Sequence, residues 1–276
     1  MNQEQIKHIT DTYYRKLNKH FKHILPGFDA EKIHQHRVEY KKLRAFFRMM
    51  SQEHETAGKI TIAKNLKKAY SIAGSIRDLQ LQQHRIRETT KQEPKKPQAY
   101  LSLLQKEIDK LKPELSEIFL KKPVTESKNK TDSSIPGEFP LNIFRNFVQQ
   151  KWAAVYAIIV SGHFSDDNLH AIRKGIKDLF YNLKIYEGVE HASLSLSIWK
   201  GKDEQYLNKL LDELGGFQDK CTAIDLLKSY WLNNLNKYNR ELLERIKKEW
   251  IKDKLTMKQR LVKKLKTDIV PQQAAQ

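Results

Sequence analysis

The residues best suited to chemistry in this chain form two short rows of histidine, arginine and lysine with the same spacing. In each row an arginine follows the histidine by three residues, and a lysine follows that arginine by four. Side chains at these spacings share one face of an α-helix. Each row therefore predicts a helix with a cationic face, which suits anion binding. The rows are His34, Arg37, Lys41, Arg44 and Arg48, and His170, Arg173, Lys177 and Lys184.

The first row has a defined geometry if its segment is helical. At about 100° per residue its five side chains fall within roughly 80° of one another, and they extend about 21 Å along the axis. That length suits an extended anion. Apolar side chains take the opposite side of the predicted helix, namely Ile33, Tyr40, Leu43, Phe46, Phe47 and Met50.

An internal repeat without gaps relates the two rows. Aligning His34 with His170 also aligns Arg15 with Lys151, which extends each row upstream. A second block follows, in which Leu-x-Lys precedes Gly-x-x-Arg-Asp in the first copy and Gly-x-x-Gln-Asp in the second. The carboxylates of this block are predicted to hold a basic side chain of the row in position. The supporting residues are Lys68, Arg77 and Asp78, and Lys209 and Asp219, beside the helix glycines Gly74 and Gly215.

The surrounding elements are predicted to be helices throughout. Only 10 Gly and 8 Pro occur in 276 residues, and apolar residues recur at helical spacing almost everywhere. We expect an all-α protein with four helices in residues 1–120, a flexible linker over 121–140 that is rich in proline and serine, and four helices in 141–276. The predicted helices are Gln3–Ile24, Asp29–Met50, Glu55–Arg87, Gln98–Leu120, Leu141–Val160, Asp167–Glu187, Asp203–Trp231 and Asn236–Lys266, with Asp29 as an N-cap.

The charge of the chain indicates what kind of partner it binds, and its cysteine content indicates which structural sites it can form. The chain has 51 Lys and Arg against 33 Asp and Glu, a formal net charge of +18, which favours polyanions. The single cysteine, Cys221, excludes an intrachain disulfide and a cysteine-rich zinc module. No signal peptide or membrane span is predicted, so we expect a cytoplasmic protein.

The two rows and the two glycine blocks resemble the CHAD domain, the conserved histidine α-helical domain. The motifs that carry this resemblance are HxxRxxxKKLRxxxR from His34, HxxRxxxKxL from His170, GxxRD from Gly74 and GxxQD from Gly215. The resemblance implies two four-helix bundles related by pseudo-twofold symmetry. It also implies that basic residues of both halves, the two rows above, line a central channel or groove that binds inorganic polyphosphate. Asp178 and Phe180 occupy positions where the family often has basic residues, so the second row has fewer cations than the first.

We therefore predict a stand-alone polyphosphate-binding module that acts on granules or in the cytoplasm, with no cofactor, no metal and no membrane partner. No phosphate-binding loop, dinucleotide fingerprint, zinc-protease or serine-hydrolase motif occurs, so no catalysis is expected. The alternatives are a nucleic-acid backbone binder and a granule scaffold that docks acidic proteins. The aromatic residues Tyr40, Phe46, Phe47 and Trp152 are predicted to be core, which disfavours stacking on bases.

Overall fold

A computed structural model describes residues 1–51, 60–190, 204–233 and 235–269 of the chain. These residues form ten α-helices and no β-strand, which confirms the all-α prediction. None of the helices in these ranges is long and apolar enough to cross a lipid bilayer. The helices are α1 (Gln3–Ile24), α2 (Ala30–Met50), α3 (Lys64–Thr89), α4 (Gln98–Leu120), α5 (Pro123–Asp132), α6 (Leu141–Ser161), α7 (Asp166–Glu190), α8 (Glu204–Asp225), α9 (Ser229–Leu232) and α10 (Lys237–Ile269).

The chain divides into two compact units, Met1–Phe144 and Arg145–Gln276. In the first unit α2 packs between α1 and α3, α3 also packs on α4, and the short α5 contacts α1, α3 and α4. In the second unit α8 packs against both α7 and α10. The pseudo-twofold relation between two four-helix bundles stays a prediction.

Side-chain caps define where the first two helices begin. The Asn2 side chain accepts a hydrogen bond from the Gln5 backbone, and the Gln5 side chain accepts one from the Asn2 backbone, which is a capping box. The Asp29 carboxylate accepts hydrogen bonds from the backbone N–H groups of Glu31 and Lys32 at 3.0 and 2.9 Å. The predicted N-cap of α2 is thus confirmed, and it fixes the register of the first basic row.

Both helices that carry a basic row bury the face opposite that row. All six apolar residues predicted for α2 are buried, and the buried face of α7 joins side chains of α6, α8 and α10 in one core cluster. Burial of the apolar stripe fixes the rotation of each helix about its axis and places the basic row on the opposite face. The buried residues of α7 on this face are Leu169, Ile172, Ile176, Leu179 and Leu183.

The third predicted helix begins later than expected. The predicted start at Glu55 lies outside the described residues, and α3 begins only at Lys64. Residues 60–63 are not helical because Ile60 and Ile62 are buried and the Ala63 N–H donates to the side-chain oxygen of Ser127 instead of joining a helix. Alternating β-branched residues favour an extended backbone, which explains the shift.

The seventh predicted helix is interrupted. Its predicted start at Asp203 lies outside the described residues, and α8 ends at Asp225, after which one turn, α9, forms separately. The N–H groups of Leu227 and Lys228 donate to carbonyls three residues earlier. These bonds form a turn of the tighter 3₁₀ type, and the α-helix ends there. The prediction of one continuous helix to Trp231 is therefore wrong.

The segment predicted as a flexible linker, residues 121–140, contains the packed helix α5. Its Ser127 and Thr131 are buried, and both side-chain oxygens lie within hydrogen-bond distance of the Tyr14 hydroxyl, at 2.9 and 2.7 Å. On its outer side Lys128 bonds Asp11 of α1 at 2.7 Å. The linker prediction is wrong over α5, because these hydrogen bonds and the buried side chains of Pro123 and Val124 hold the helix in place.

The end of the same segment is also attached to the first unit. The amino group of Met1 donates to the Phe139 carbonyl at 2.8 Å, and the Phe139 N–H donates back at 2.7 Å. Phe139 itself is fully buried. The first unit therefore extends past residue 120 to Phe144, instead of ending where the sequence predicted a boundary.

Histidine 36 is a fully buried residue of α2 whose ring stacks on Phe21 at 5.0 Å between ring centroids. Burial, with smaller contributions from the charges of His20 and Arg37, lowers the pKa of His36 to about 3. A folded-state pKa below the unfolded value gives stability that is complete above about pH 6.5 and is lost as pH falls toward 3. Between pH 7 and pH 5 the free energy of unfolding should fall by about 2 kcal/mol through this residue.

Urea unfolding at pH 7 and pH 5 measures this loss. The variant His36→Leu should remove about 2 kcal/mol of the difference between the two pH values, whatever its absolute stability. The matched control is His84→Leu, which changes an exposed histidine of α3 and should retain the difference. An unchanged pH difference in His36→Leu would contradict the assignment.

Candidate functional site

The first basic row lies on the face of α2 opposite its apolar stripe and is partly covered by neighbouring side chains. All five of its residues, His34 to Arg48, are half-buried, while Arg15 on α1 is exposed and donates to the Thr12 hydroxyl at 3.2 Å. Half-burial means that these cations have ordered surroundings and do not simply extend into solvent. Their environments therefore decide what the row can bind.

The side chain of Arg37, a residue of α2, is held against α3. Its Nη1 donates to the Tyr70 carbonyl at 2.8 Å, and its guanidinium lies 4.4 Å from the centre of the Tyr70 ring. Gly74, one turn further along α3, leaves room for the guanidinium, because a Cβ atom there would lie 1.7 Å from Nη1 of Arg37. Gly74 thus accommodates an arginine of the row.

A pair of stacked tyrosines supports the same cations. Tyr40 of α2 and Tyr70 of α3 stack at 4.1 Å, and the Arg44 guanidinium lies 5.9 and 5.7 Å from their ring centres. Aromatic faces attract cations without neutralising them. Sequence reasoning missed Tyr70, although its position four residues before Gly74 places both on one face of α3.

The second unit places an arginine over a glycine in the same way. The Arg173 guanidinium of α7 lies beside Gly215 of α8, where a Cβ atom would be 3.4 Å from Nη2. His170 lies 2.9 Å, Nδ1 to Oε1, from Gln218, which is the residue aligned with Arg77 of the first copy. The repeated sequence blocks therefore come together in each unit, with a looser fit in the second.

Several arginines of the site keep an unused hydrogen-bond donor. The Nε atoms of Arg44, Arg77 and Arg173 are buried and have no acceptor in the part of the chain that the structure describes. A buried donor without an acceptor costs free energy. The contacts of Arg37 and Arg44 in these ranges are a carbonyl, aromatic rings and a glycine, so no carboxylate neutralises them.

The lysines of the second row differ in their surroundings. Lys177 is half-buried and lies 5.4 Å from the Tyr181 ring, but Lys184 pairs with the Glu204 carboxylate of α8. This pairing was not predicted, and it lowers the charge that Lys184 can offer. Asp178, which interrupts the row in the sequence, is buried and does not lie on the exposed face.

The remaining predicted residues are less closely associated with the rows. Lys68 pairs with Glu114 of α4 at 2.8 Å, so its contact is with α4 and not α2. Lys151 is half-buried 5.8 Å from the Phe147 ring, and Lys209 is exposed. Asp78 is half-buried and Asp219 exposed, and their role as supports for the rows stays a prediction.

The described residues contain no cluster of three or more histidine, cysteine or carboxylate side chains that could hold a metal ion. Cys221 is half-buried, and its thiol lies 3.8 Å from the Asp166 carboxylate. Burial, with that carboxylate, raises the pKa of Cys221, which disfavours the reactive thiolate.

Comparison with known proteins gives one family match and one similar solved structure. The chain matches the CHAD domain model over residues 8–228. The crystal structure of the CHAD domain from the plant Ricinus communis is similar to this fold with a TM-score of 0.69 at 16% identity, and the match covers 95% of this chain and 91% of that one. A search of curated proteins found no match. Because the family match spans most of the sequence, including both basic rows and both glycine blocks, the chain belongs to the CHAD domain family.

Proposed function

We propose that this protein binds inorganic polyphosphate through the basic faces of α2 and α7, without converting it chemically. The observation that carries the proposal is the arginine held over a glycine in each unit, Arg37 over Gly74 and Arg173 over Gly215. A guanidinium held in place loses less conformational entropy on binding than a freely moving one. Each unit thus offers a preorganised fork for phosphate oxygens.

The electrostatics of the chain support a polymeric anion over a small one. Polyphosphate carries a negative charge at each repeating unit, and binding it releases condensed counterions, as with nucleic-acid backbones. A net charge of +18 and a row about 21 Å long suit such a polymer. CHAD family membership supports the same ligand, and association with polyphosphate granules belongs to this proposal.

The rival function is binding of a nucleic-acid backbone. Base recognition in single strands uses exposed aromatic rings for stacking. Tyr40, Phe46 and Phe47 are buried, and Trp152 is packed against the core of the second unit. Tyr70, the aromatic residue of the site, is stacked between Tyr40 and Arg37. These positions favour a polyanion that has no bases.

A competition titration tests the proposal. Labelled polyphosphate bound to the full chain is displaced either by unlabelled polyphosphate or by a long single-stranded RNA, at equal phosphate concentrations and fixed salt. We expect polyphosphate to compete at a concentration at least ten times lower than RNA. Equal or better displacement by RNA would favour the nucleic-acid function, and failure of the protein to bind any purified polyanion would favour a scaffold that docks acidic proteins.

A further inference from the structure

Helix α10 carries a third row of exposed cations, distinct from those of α2 and α7. The six members, here called the α10 row, extend about 32 Å along the helix at 1.5 Å per residue. They lie after residue 228, where the match to the CHAD model ends, so the family match does not include them. The α10 row consists of Arg245, Lys248, Lys252, Arg260, Lys263 and Lys266, all of which are exposed.

The α10 row lies on the side of the helix opposite its packed face. At about 100° per residue, all members except Arg260 fall within roughly 60° of one another. The apolar side chains that dock α10 in the second unit project from the other side of the helix. These buried residues include Leu243, Ile246, Trp250, Leu261 and Leu265.

The other lysines of α10 have carboxylate partners in the second unit. Lys254 and Lys258 both bond Asp166, the first residue of α7, at 2.8 and 2.9 Å, and Lys264 bonds Glu213 of α8 at 2.8 Å. These three lysines are half-buried at the edges of the packed face. Their charges are therefore used within the fold.

Four of the outward cations are not used in this way. In the described ranges, no carboxylate oxygen lies within 4.0 Å of four members of the α10 row, which are Lys248, Lys252, Arg260 and Lys263. Like charges arranged along one helix face repel one another, and an ion pair with an acid four residues away would relieve that repulsion. These four cations span about 23 Å at 1.5 Å per residue and form a charged surface that an external anion can satisfy.

The acids of α10 restrict the shape of that anion. By about 100° per residue, Glu249 and Asp253 lie along one edge of the row, Glu244 lies along the other, and Glu241 lies in line with the row at its amino-terminal end. A flat anionic surface such as a lipid bilayer would approach these carboxylates together with the lysines. A linear chain can follow the narrow cationic strip between them, so charge complementarity favours a linear polymer.

We propose that the α10 row is a second binding surface for linear polyphosphate, separate from the basic faces of α2 and α7. The choice of polyphosphate among linear polyanions rests on the proposed function, whereas the existence of the surface rests on α10 alone. One protein molecule then binds a further polyphosphate chain in addition to those at α2 and α7. Such bivalent binding allows the protein to connect chains.

The test counts the polyphosphate chains bound by each protein molecule. Isothermal titration uses a polyphosphate chain shorter than the α10 row. Wild type should bind one more chain per molecule than the triple variant Lys248→Gln, Lys252→Gln and Lys263→Gln. The matched control, Lys7→Gln, Lys91→Gln and Lys106→Gln, removes three exposed lysines of the first unit and should bind as many chains as wild type.

The outcomes separate this proposal from the proposed function. Equal stoichiometry in the triple variant and the control would overturn the α10 surface. A triple variant that loses binding only to duplex DNA, or only to vesicles of anionic lipid, would also overturn it in favour of those partners. If the double variant Arg37→Ala and Arg173→Ala binds like wild type while the triple variant loses a chain, the proposed function fails and the α10 surface stands.

Discussion

Replacing Arg37 and Arg173 together by alanine is expected to weaken polyphosphate binding about 100-fold. A hydrogen bond from a charged group contributes about 1.5 kcal/mol or more, and 1.4 kcal/mol corresponds to a tenfold change in affinity. Removing two cations should also reduce the slope of log affinity against log salt concentration by about two. Fluorescence anisotropy of end-labelled polyphosphate at several salt concentrations measures both effects.

The matched control for this experiment removes the same charge from the same units. Arg87 of α3 and Arg145 of α6 are exposed and lie outside the predicted rows. The double variant Arg87→Ala and Arg145→Ala should change affinity by less than about threefold, because only the long-range field is reduced. If the two double variants show the same affinity and the same salt slope, net charge alone explains binding and the arginines over the glycines have no special role.

The two glycines that accommodate these arginines should respond differently to alanine. At position 74 the new Cβ would lie 1.7 Å from Nη1 and 2.6 Å from Cζ of Arg37, so the guanidinium must leave its place on Tyr70. At position 215 the nearest atom, Nη2 of Arg173, would be 3.4 Å away, which is ordinary contact. Gly74→Ala should therefore reduce polyphosphate affinity about tenfold, whereas Gly215→Ala should leave it within twofold of wild type.

Stability measurements complete this comparison. In a helix, alanine is favoured over glycine by about 1 kcal/mol, and Gly215→Ala should gain close to that amount. In Gly74→Ala the gain is offset by the lost hydrogen bond to Tyr70 and the lost ring contact, so thermal unfolding should change little. Equal loss of affinity in the two variants would contradict the tight fit at Gly74 and the loose fit at Gly215.

The parts of the fold that follow apolar periodicity could be predicted from the sequence. The buried faces of α2 and α7 are dominated by large apolar side chains at helical spacing, and the Asp29 cap is a local signal. Helix α5 gives no such signal. Its buried face includes Ser127 and Thr131, whose hydroxyls can be buried because Tyr14, the Ala63 N–H and the Ser127 carbonyl satisfy them.

The candidate site shows the same division between local and tertiary information. In each copy of the repeat, the glycine of the second block lies one helix after the arginine of the basic row. The structure brings the two residues of each copy together. The partners of Lys68 and Lys184 could not be foreseen, because Glu114 and Glu204 lie on other helices. Spacing rules identify acids one turn away on the same helix, not across a helix interface.

The polar attachment of α5 determines where the first unit can be cut. A fragment that stops at residue 120 loses the two side-chain oxygens that satisfy the Tyr14 hydroxyl, and it leaves the Ala63 N–H without its Ser127 acceptor. Both groups would lose the hydrogen bonds that the fold now gives them. Dissection of the protein into independently expressed halves therefore requires the amino-terminal fragment to continue through Phe139, whose backbone pairs with Met1.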